Sequence, residues 1–572
     1  MTALLKQYDA RADASCAARH ETTSGMQTAG DVAGQEGAGF RDSLAEEAEK
    51  LLCAVSLYKN TGEIGRAEKM APSGRREIFQ KILRDYREAV QRAGALDFDD
   101  MIYECGRLLQ EREEVRKRWQ KRFSHILIDE FQDCNPMQYE TLKLLSGEPH
   151  SIFAVGDDDQ SIYGFRGACP EILRRFAEEF PAEQILLNIN YRSRDRIVRD
   201  SLAVIQENKN RFPKELRAAE CRTAECLRIL AFEKREEQYA YLCEQMRIWH
   251  ERHGADGKRC ALLFRTNSYM QGMAVRLRSA GIPFVMKEKG KSIYEHFIVK
   301  DIMAYLLLAA GEWRREHMLR VLNKPARFVS REAVGDGRSI GEMIAWYSTG
   351  AGFGTNSGAG CRRAVEALEE MERRMKYLGS LSPALAVNYV LKGMHYDTCL
   401  QNAAGRNPEK MAEWGELLEW LKEDAGRFTD VRAWRRAQEE YTEKMQEKGN
   451  SKRQEPEEGA IRLMSIHGSK GLEFDRVLVP DCNEQVFPHG HLPDEETVEE
   501  ERRIFYVAMT RAKESLELLY LTGDKVRPRL PSRFLNPLIH SSSSSISSSN
   551  SQLSRYSSKA SATCSYSASS SI

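Results

Sequence analysis

The chain has 572 residues, 41% of them hydrophobic and 30% charged, the balance of a folded multi-domain protein and not of a disordered one. Its 85 basic and 85 acidic residues cancel, so no global field marks a polyanionic partner, although a basic groove can sit on a neutral protein. No apolar run approaches the roughly 20 residues of a membrane span, no secretory pattern surrounds Lys6 and Asp9, and the 13 cysteines include no CxxC pair, so a cytoplasmic protein with reduced thiols, no metal cluster and no membrane is expected.

Residues 1–40 are rich in Ala, Gly, Thr and Ser, show little periodicity, and are expected to be poorly ordered. Residues 41–118 follow a helical pattern. Leu44, Ala48, Leu51 and Leu52 share one face, and Ile78, Ile82, Tyr86 and Val90 recur at helical spacing. From residue 119 short apolar runs alternate with amphipathic stretches, the pattern of parallel α/β architecture. The runs His125–Asp129, Ser151–Gly156 and Gln184–Asn188 belong to a first unit, 119–222. A second unit, 223–295 with 456–525, carries Cys260–Phe264, Arg462–Ile466, Arg476–Val479 and Leu516–Tyr520. Between its halves lies a mainly helical insertion, 296–455, in which Trp313, Leu319 and Trp346 are expected in the core. Residues 526–572 are expected to form a Ser-rich low-complexity tail, of which 541–572 is Ser-dominated and cannot bury a core.

In open α/β sheets ligands bind beyond the carboxyl ends of strands. The first run ends in the string DEFQD, Asp129–Asp133. An Asp at a strand end suits a hydrated Mg²⁺, and the adjacent Glu could deprotonate a water for attack on a γ-phosphate. An apolar run followed by Asp-Glu alone reads equally as a helix N-cap with an acidic first turn. The second run leads into GDDDQSIYGFRGA, Gly156–Ala168. Gln160 offers both donor and acceptor atoms. Tyr163, Phe165 and Arg166 supply two π faces and a cation, the composition of a stacking platform for single-stranded nucleic acid. An acidic turn followed by two core aromatics is the plainer alternative.

Together these strings resemble the UvrD/Rep/PcrA family of superfamily 1 DNA helicases, and later segments follow in the same order: NYRS at Asn190–Ser193, IHGSKGLEF at Ile466–Phe474 and EERRIFYVAMTRA at Glu500–Ala512. LDFDD at Leu96–Asp100, LFRTN at Leu263–Asn267 and SIYE at Ser292–Glu295 also fit. The resemblance covers roughly 45–525. It implies two RecA-like parallel-sheet domains with helical insertion subdomains, 41–118 being the insertion of the first. It also implies ATP-driven 3′–5′ movement on single-stranded DNA and opening of duplex DNA. Carried over residue by residue, Asp129 would coordinate Mg²⁺ and Glu130 would be the catalytic base. Gln160 would couple the γ-phosphate to DNA, and Tyr191 would stack on adenine. Glu473 would contact the ribose. Arg192 and Arg511 would reach the γ-phosphate from opposite sides of the cleft. Tyr163, Phe165, Arg166 and His467 would lie along the DNA track. Taken singly, each of these is as readily a surface ion pair, a core aromatic or a satisfied polar residue.

One expected string does not occur. GxxxxGK[ST], whose backbone N–H groups and Lys cradle phosphates, is found nowhere in the 572 residues. Gly290-Lys291-Ser292 lacks the leading Gly, since position 285 is Val, and follows the carboxylates instead of preceding them. The first RecA-like domain is therefore expected to be incomplete, lacking a leading strand and its phosphate-binding helix. Three alternatives follow: a start placed too late, a degenerate helicase that binds DNA without hydrolysis, or a split assembly in which a protein partner supplies the P-loop.

Overall fold

The computed structural model describes residues 1, 5, 38–147, 151–180, 182–219, 226–253, 258–286, 292–348, 358–404, 408–450, 461–490, 494–524 and 528–541. Most of 1–40, the pair Gly290-Lys291, and the Ser-rich stretch from 542 lie outside the described residues. The chain divides into two compact units: Met1–Asp100 with Lys291–Asn450, and Met101–Gly290 with Ser451–Ile572.

The first unit is helical. Helices Ala38–Thr61, Ile64–Met70 and Phe79–Arg92 bury Ala48, Leu51, Val55, Phe79 and Ile82 together. Leu52 does not join its expected face, being 40% exposed. It stands one residue, about 100° of helix, beyond Leu51. The LDFDD string closes this bundle. Lys59 donates to Asp97 at 2.6 Å and Asp100 at 2.5 Å, Asn60 donates to Asp99 at 2.9 Å, and Tyr86 donates to Asp97 at 3.0 Å. In the insertion, helix Phe297–Ala309 is buried along nearly its whole length. Its Asp301 is fully enclosed, and Arg320 (2.7 Å), Lys324 (2.5 Å) and the Tyr396 hydroxyl (2.7 Å) surround it. A carboxylate so placed is tolerable only with such partners. Trp313, Leu319 and Trp346 are half-buried at the margin; Trp414, Trp420 and Trp434 fill the interior instead.

The second unit is α/β. Strands β1 (Ile126–Ile128) and β2 (Ile152–Ala154) pair in parallel, as do β3 (Ile189–Asn190) and β4 (Arg217–Ala218). A six-stranded sheet contains β5 (Leu227–Phe232), β6 (Cys260–Phe264), β7 (Phe284–Met286), β8 (Ile461–Ser465), β9 (Phe474–Val479) and β10 (Ala512–Leu521), in the order β5-β10-β9-β6-β8-β7. All its pairings are parallel, which demands crossover connections. The central strand β6 is buried at all five positions, reading as an unbroken apolar run. The chain leaves this sheet after β7 and returns at the adjacent β8, so the helical insertion interrupts the sheet without breaking its order. Helix Asp195–Ile205 lies with this sheet: its Ile197 and Val204 are buried in the same core.

Beside it, β1 and β2 show a period of two. Ile126, Ile128, Ile152 and Ala154 pack toward Phe131, Tyr139, Leu142, Ile172 and Phe180. Leu127 and Phe153, directly paired, face outward at 74% and 60% exposure. The expected strand Gln184–Asn188 is not one. No strand is formed until Ile189, and Ile185, Leu186 and Leu187 are exposed. An apolar run becomes a strand through a neighbour that accepts its hydrogen bonds and covers its side chains, and among the described residues these three have neither.

Candidate functional site

The site is built where the β1–β2 layer meets the six-stranded sheet, inside the second unit. The turn after β1 is sharp: Glu130 takes a left-handed conformation with φ of 52°. A non-glycine residue there costs on the order of 1–3 kcal/mol, and such strain gathers at functional sites. The surrounding bonds hold it. Asp129 accepts from the Glu130 amide at 2.9 Å, and the buried Gln132 amide donates to Glu130 Oε2 at 2.5 Å. Gln132 Oε1 accepts from the Asp157 amide at 2.9 Å, tying the turn after β1 to the loop after β2. The Asp129 carboxylate is exposed and makes no ion pair among the described residues, so its hard oxygens fit a divalent cation.

Two residues carry the junction with the six-stranded sheet. Lys470, 6% exposed, donates to both oxygens of Asp133 (2.7 and 2.6 Å) and to the Gln160 carbonyl (2.8 Å), and lies 3.7 Å from Glu130 Oε2. Burial pushes the Asp133 carboxyl up against the pull of this ammonium. Arg511, 1% exposed, donates to Gln160 Oε1 at 2.9 Å and to the carbonyls of Val507 and Leu472 at 3.1 Å. Burial, with repulsion from Arg192, brings its guanidinium down to about 10, still cationic at neutral pH.

Arg192 was expected opposite Arg511. Its loop lies beside the start of β10. Ser193 Oγ donates to the Ala512 carbonyl at 2.6 Å and the Arg194 amide to the Lys513 carbonyl at 3.0 Å, which fixes the loop 190–194 beside the start of β10. Arg192 Nε donates to Glu473 Oε2 at 2.9 Å, and Tyr191 next to it is 82% exposed. Lys513 and Arg192 hold the Glu473 carboxyl below its usual range.

The four residues of the expected DNA track meet. The ring centroids of Tyr163, Phe165 and His467 lie 5.8–6.3 Å apart, and the Arg166 guanidinium sits 5.4 Å over both Tyr163 and Phe165. Burial and the cations of Arg265 and Arg166 lower His467 to about 4, leaving it neutral. Gly164 lies against Glu500: its amide donates to that carboxylate at 3.0 Å, and a Cβ would lie 2.6 Å from Oε1, so a larger residue would displace the Glu500 side chain.

Two family models match: the UvrD/REP helicase N-terminal domain over residues 3–181 and the UvrD-like helicase C-terminal domain over 185–341 and 397–523. The chain is 31% identical to the ATP-dependent DNA helicase Rep of Escherichia coli (strain K12) over 512 residues, 85% of this chain and 74% of that protein. The chain belongs to the UvrD-like helicase family. It is also 30% identical to DNA helicase II of E. coli K12, over 81% of this chain and 65% of that one. It is 28% identical to ATP-dependent DNA helicase PcrA of Staphylococcus aureus (strain NCTC 8325), over 87% of this chain and 69% of that protein. The chain thus spans about two thirds to three quarters of these relatives. No helix among the described residues of this UvrD-like protein is long and apolar enough to cross a membrane.

Sequence reasoning assigns no role to several residues of this UvrD-like site. Asp157, Asp158 and Asp159 bring carboxylate oxygens within 4.8 Å of one another. A cation already occupies that geometry: Lys214 Nζ bonds all three, and Arg211 grips Asp159 through two bonds of 2.9 and 2.7 Å. Lys214, Arg211, Arg259 and Lys513 stand outside the strings quoted for the resemblance, and the fold gives them partners.

Proposed function

We propose that this chain is the motor body of an ATP-dependent DNA helicase that moves 3′–5′ along single-stranded DNA. The observation that carries this reading is the Arg511–Gln160 bond. It joins the sequence that follows β2, which continues into the aromatic cluster, to a buried cation at the mouth of the six-stranded sheet. Asp129 would hold Mg²⁺, which neutralises phosphate charge when bound. Glu130, beside the buried Lys470, takes the proton of the attacking water. Arg511 and Arg192 place positive charge where it develops on the transferred phosphoryl. Tyr191 stacks the base and Glu473 accepts from the sugar. Tyr163, Phe165, Arg166 and His467 form the strand track, with Gln160 between track and cleft.

The test is phosphate release by the full chain, with and without single-stranded DNA, beside Glu130→Gln. DNA-stimulated release that the variant lacks supports the motor. A wild-type chain that binds DNA but releases no phosphate at any DNA concentration defeats it.

A second reading has its own observation. Leu127 and Phe153, paired on β1 and β2, leave apolar surface uncovered next to the strand ends that carry the carboxylates, and Val155, Ile185, Leu186 and Leu187 are exposed as well; uncovered apolar surface of this kind marks association surfaces. A strand–loop–helix bearing GxxxxGK[ST], from outside these 572 residues, would cover it and supply the phosphate cradle. A chain inactive alone that gains ATPase when such a segment is co-expressed supports this reading; no gain counts against it.

A further inference from the structure

Glu473 stands at the head of β9, between the neighbouring strands β10 and β6. Each neighbour sends it one cation. Lys513, in β10, reaches Oε1 at 2.5 Å; Arg259, immediately before β6, lies 3.6 Å from the same oxygen. The other oxygen, Oε2, takes only the Arg192 Nε, at 2.9 Å, among the described residues. The two groups differ in how they are held. Arg259 is pinned by its backbone, its amide donating to Asp475 at 2.7 Å and its carbonyl accepting from the Asp475 and Arg476 amides at 2.8 and 3.2 Å. Lys513 lies near the start of β10, in the irregularity between Ala512 and Ser515, where its carbonyl accepts from the Arg194 amide at 3.0 Å. Arg192 extends from a loop outside the sheet, its side chain 38% exposed.

We propose that Lys513 and Arg259 are positioning residues that fix Glu473 Oε1 and so present Oε2 to the ribose hydroxyls of a nucleotide, while Arg192 guards Oε2 until a phosphate draws it away. The proposal rests on the nucleotide reading of this cleft and goes beyond it by assigning two unassigned residues to sugar selectivity. The chemistry is an exchange of partners. A phosphate carries more charge than the carboxylate and competes for the guanidinium. The vacated Oε2 lone pairs then accept a hydroxyl. Lys513 keeps the carboxylate ionised and stops it from following Arg192. The exposed Tyr191, next to Arg192 in the chain, supplies a stacking face at the same spot.

The experiment is calorimetric titration of the full chain with Mg²⁺-ATP and with its 2′,3′-dideoxy analogue. Wild type, Lys513→Met, Lys513→Arg, Arg259→Met and Glu473→Gln are compared, each with circular dichroism to show that it is folded. Wild type binds ATP about 5- to 10-fold more tightly than the analogue, the range of one well-placed hydrogen bond. Lys513→Met brings the ratio toward one by weakening ATP and leaving the analogue unchanged. Lys513→Arg restores the ratio, and Arg259→Met lowers it less because its contact is longer. A ratio that survives Glu473→Gln, or one that collapses there but survives in both Lys513→Met and Arg259→Met, overturns the proposal alone. No ATP binding by wild type overturns the nucleotide reading beneath it and this proposal too.

Discussion

Arg511 donates through Nη2 to the amide oxygen of Gln160 at 2.9 Å, across 351 residues of sequence. The guanidinium is fully buried, so this neutral acceptor and the two carbonyls of Val507 and Leu472 do the solvating that water otherwise would. Gln160→Ala is expected to lower stability by about 1–3 kcal/mol, the range for a bond to a charged group. Arg511→Met removes these bonds and a further one to Thr510 Oγ1 at 3.2 Å, together with the charge they solvate. In a double-mutant cycle by urea denaturation the pair should couple by about 1 kcal/mol or more. Strict additivity would show that the two layers are not joined through this contact.

The strings that carried this junction were readable because each is contiguous. DEFQD and the Gly156–Ala168 segment place carboxylates, amide and aromatics on single turns after short apolar runs, so their convergence follows from strand ends alone. The pairings of the cations that complete the site are not readable. Lys470 lies in the string IHGSKGLEF but meets Asp133 across 337 residues, and Lys214 meets Asp158 across 56 with nothing local to distinguish it from a solvated surface charge. The anchoring of Arg192 is not readable for a related reason. Its loop is fixed by two backbone acceptors, Ala512 and Lys513, that no pattern in the sequence reveals. Gln184–Asn188 was read as a strand from its apolarity, but pairing is a property of neighbours.

Phe165 and Arg166 separate the two components of strand binding. The ring is partly exposed and the guanidinium lies 5.4 Å above it. By fluorescence anisotropy with a labelled single-stranded oligonucleotide, Phe165→Ala should lose about 1–3 kcal/mol of affinity with an unchanged salt slope. Arg166→Ala should lower that slope by about 0.7 per phosphate contact released. Wild-type affinity in both variants would remove this cluster from the DNA track.

His467 makes the protein acid-sensitive. The folded imidazole takes its proton near 4, and the unfolded one near its usual 6.5. Between these values the unfolded chain binds more protons, so stability is fully present above the window and falls as the pH drops through it. From about pH 7 to about pH 5 the expected loss is roughly 2 kcal/mol from this residue. His467→Gln should flatten that part of the profile in urea titrations at the two pH values. An equally steep profile in the variant assigns the acid sensitivity elsewhere.

Lys214 is expected to be the most costly single residue to remove around the site. Its ammonium bonds Asp157, Asp158 and Asp159, and the side chains of the last two are 3% and 0% exposed. Arg211 satisfies Asp159, and the Phe212 amide donates to Asp158 at 2.6 Å, but neither reaches Asp157. Lys214→Met therefore leaves enclosed carboxylates short of one charge, a loss of about 3–5 kcal/mol. Adding Asp158→Asn removes one negative charge while keeping an acceptor for the Phe212 amide, so the double variant should recover part of that loss. The loop these aspartates anchor ends at Gln160, which donates to Asp157 at 2.6 Å. Loosening it should weaken DNA binding at the aromatic cluster in Lys214→Met, and the double variant should regain it. A double variant no more stable than Lys214→Met would show that Lys214 contributes by packing and not by charge.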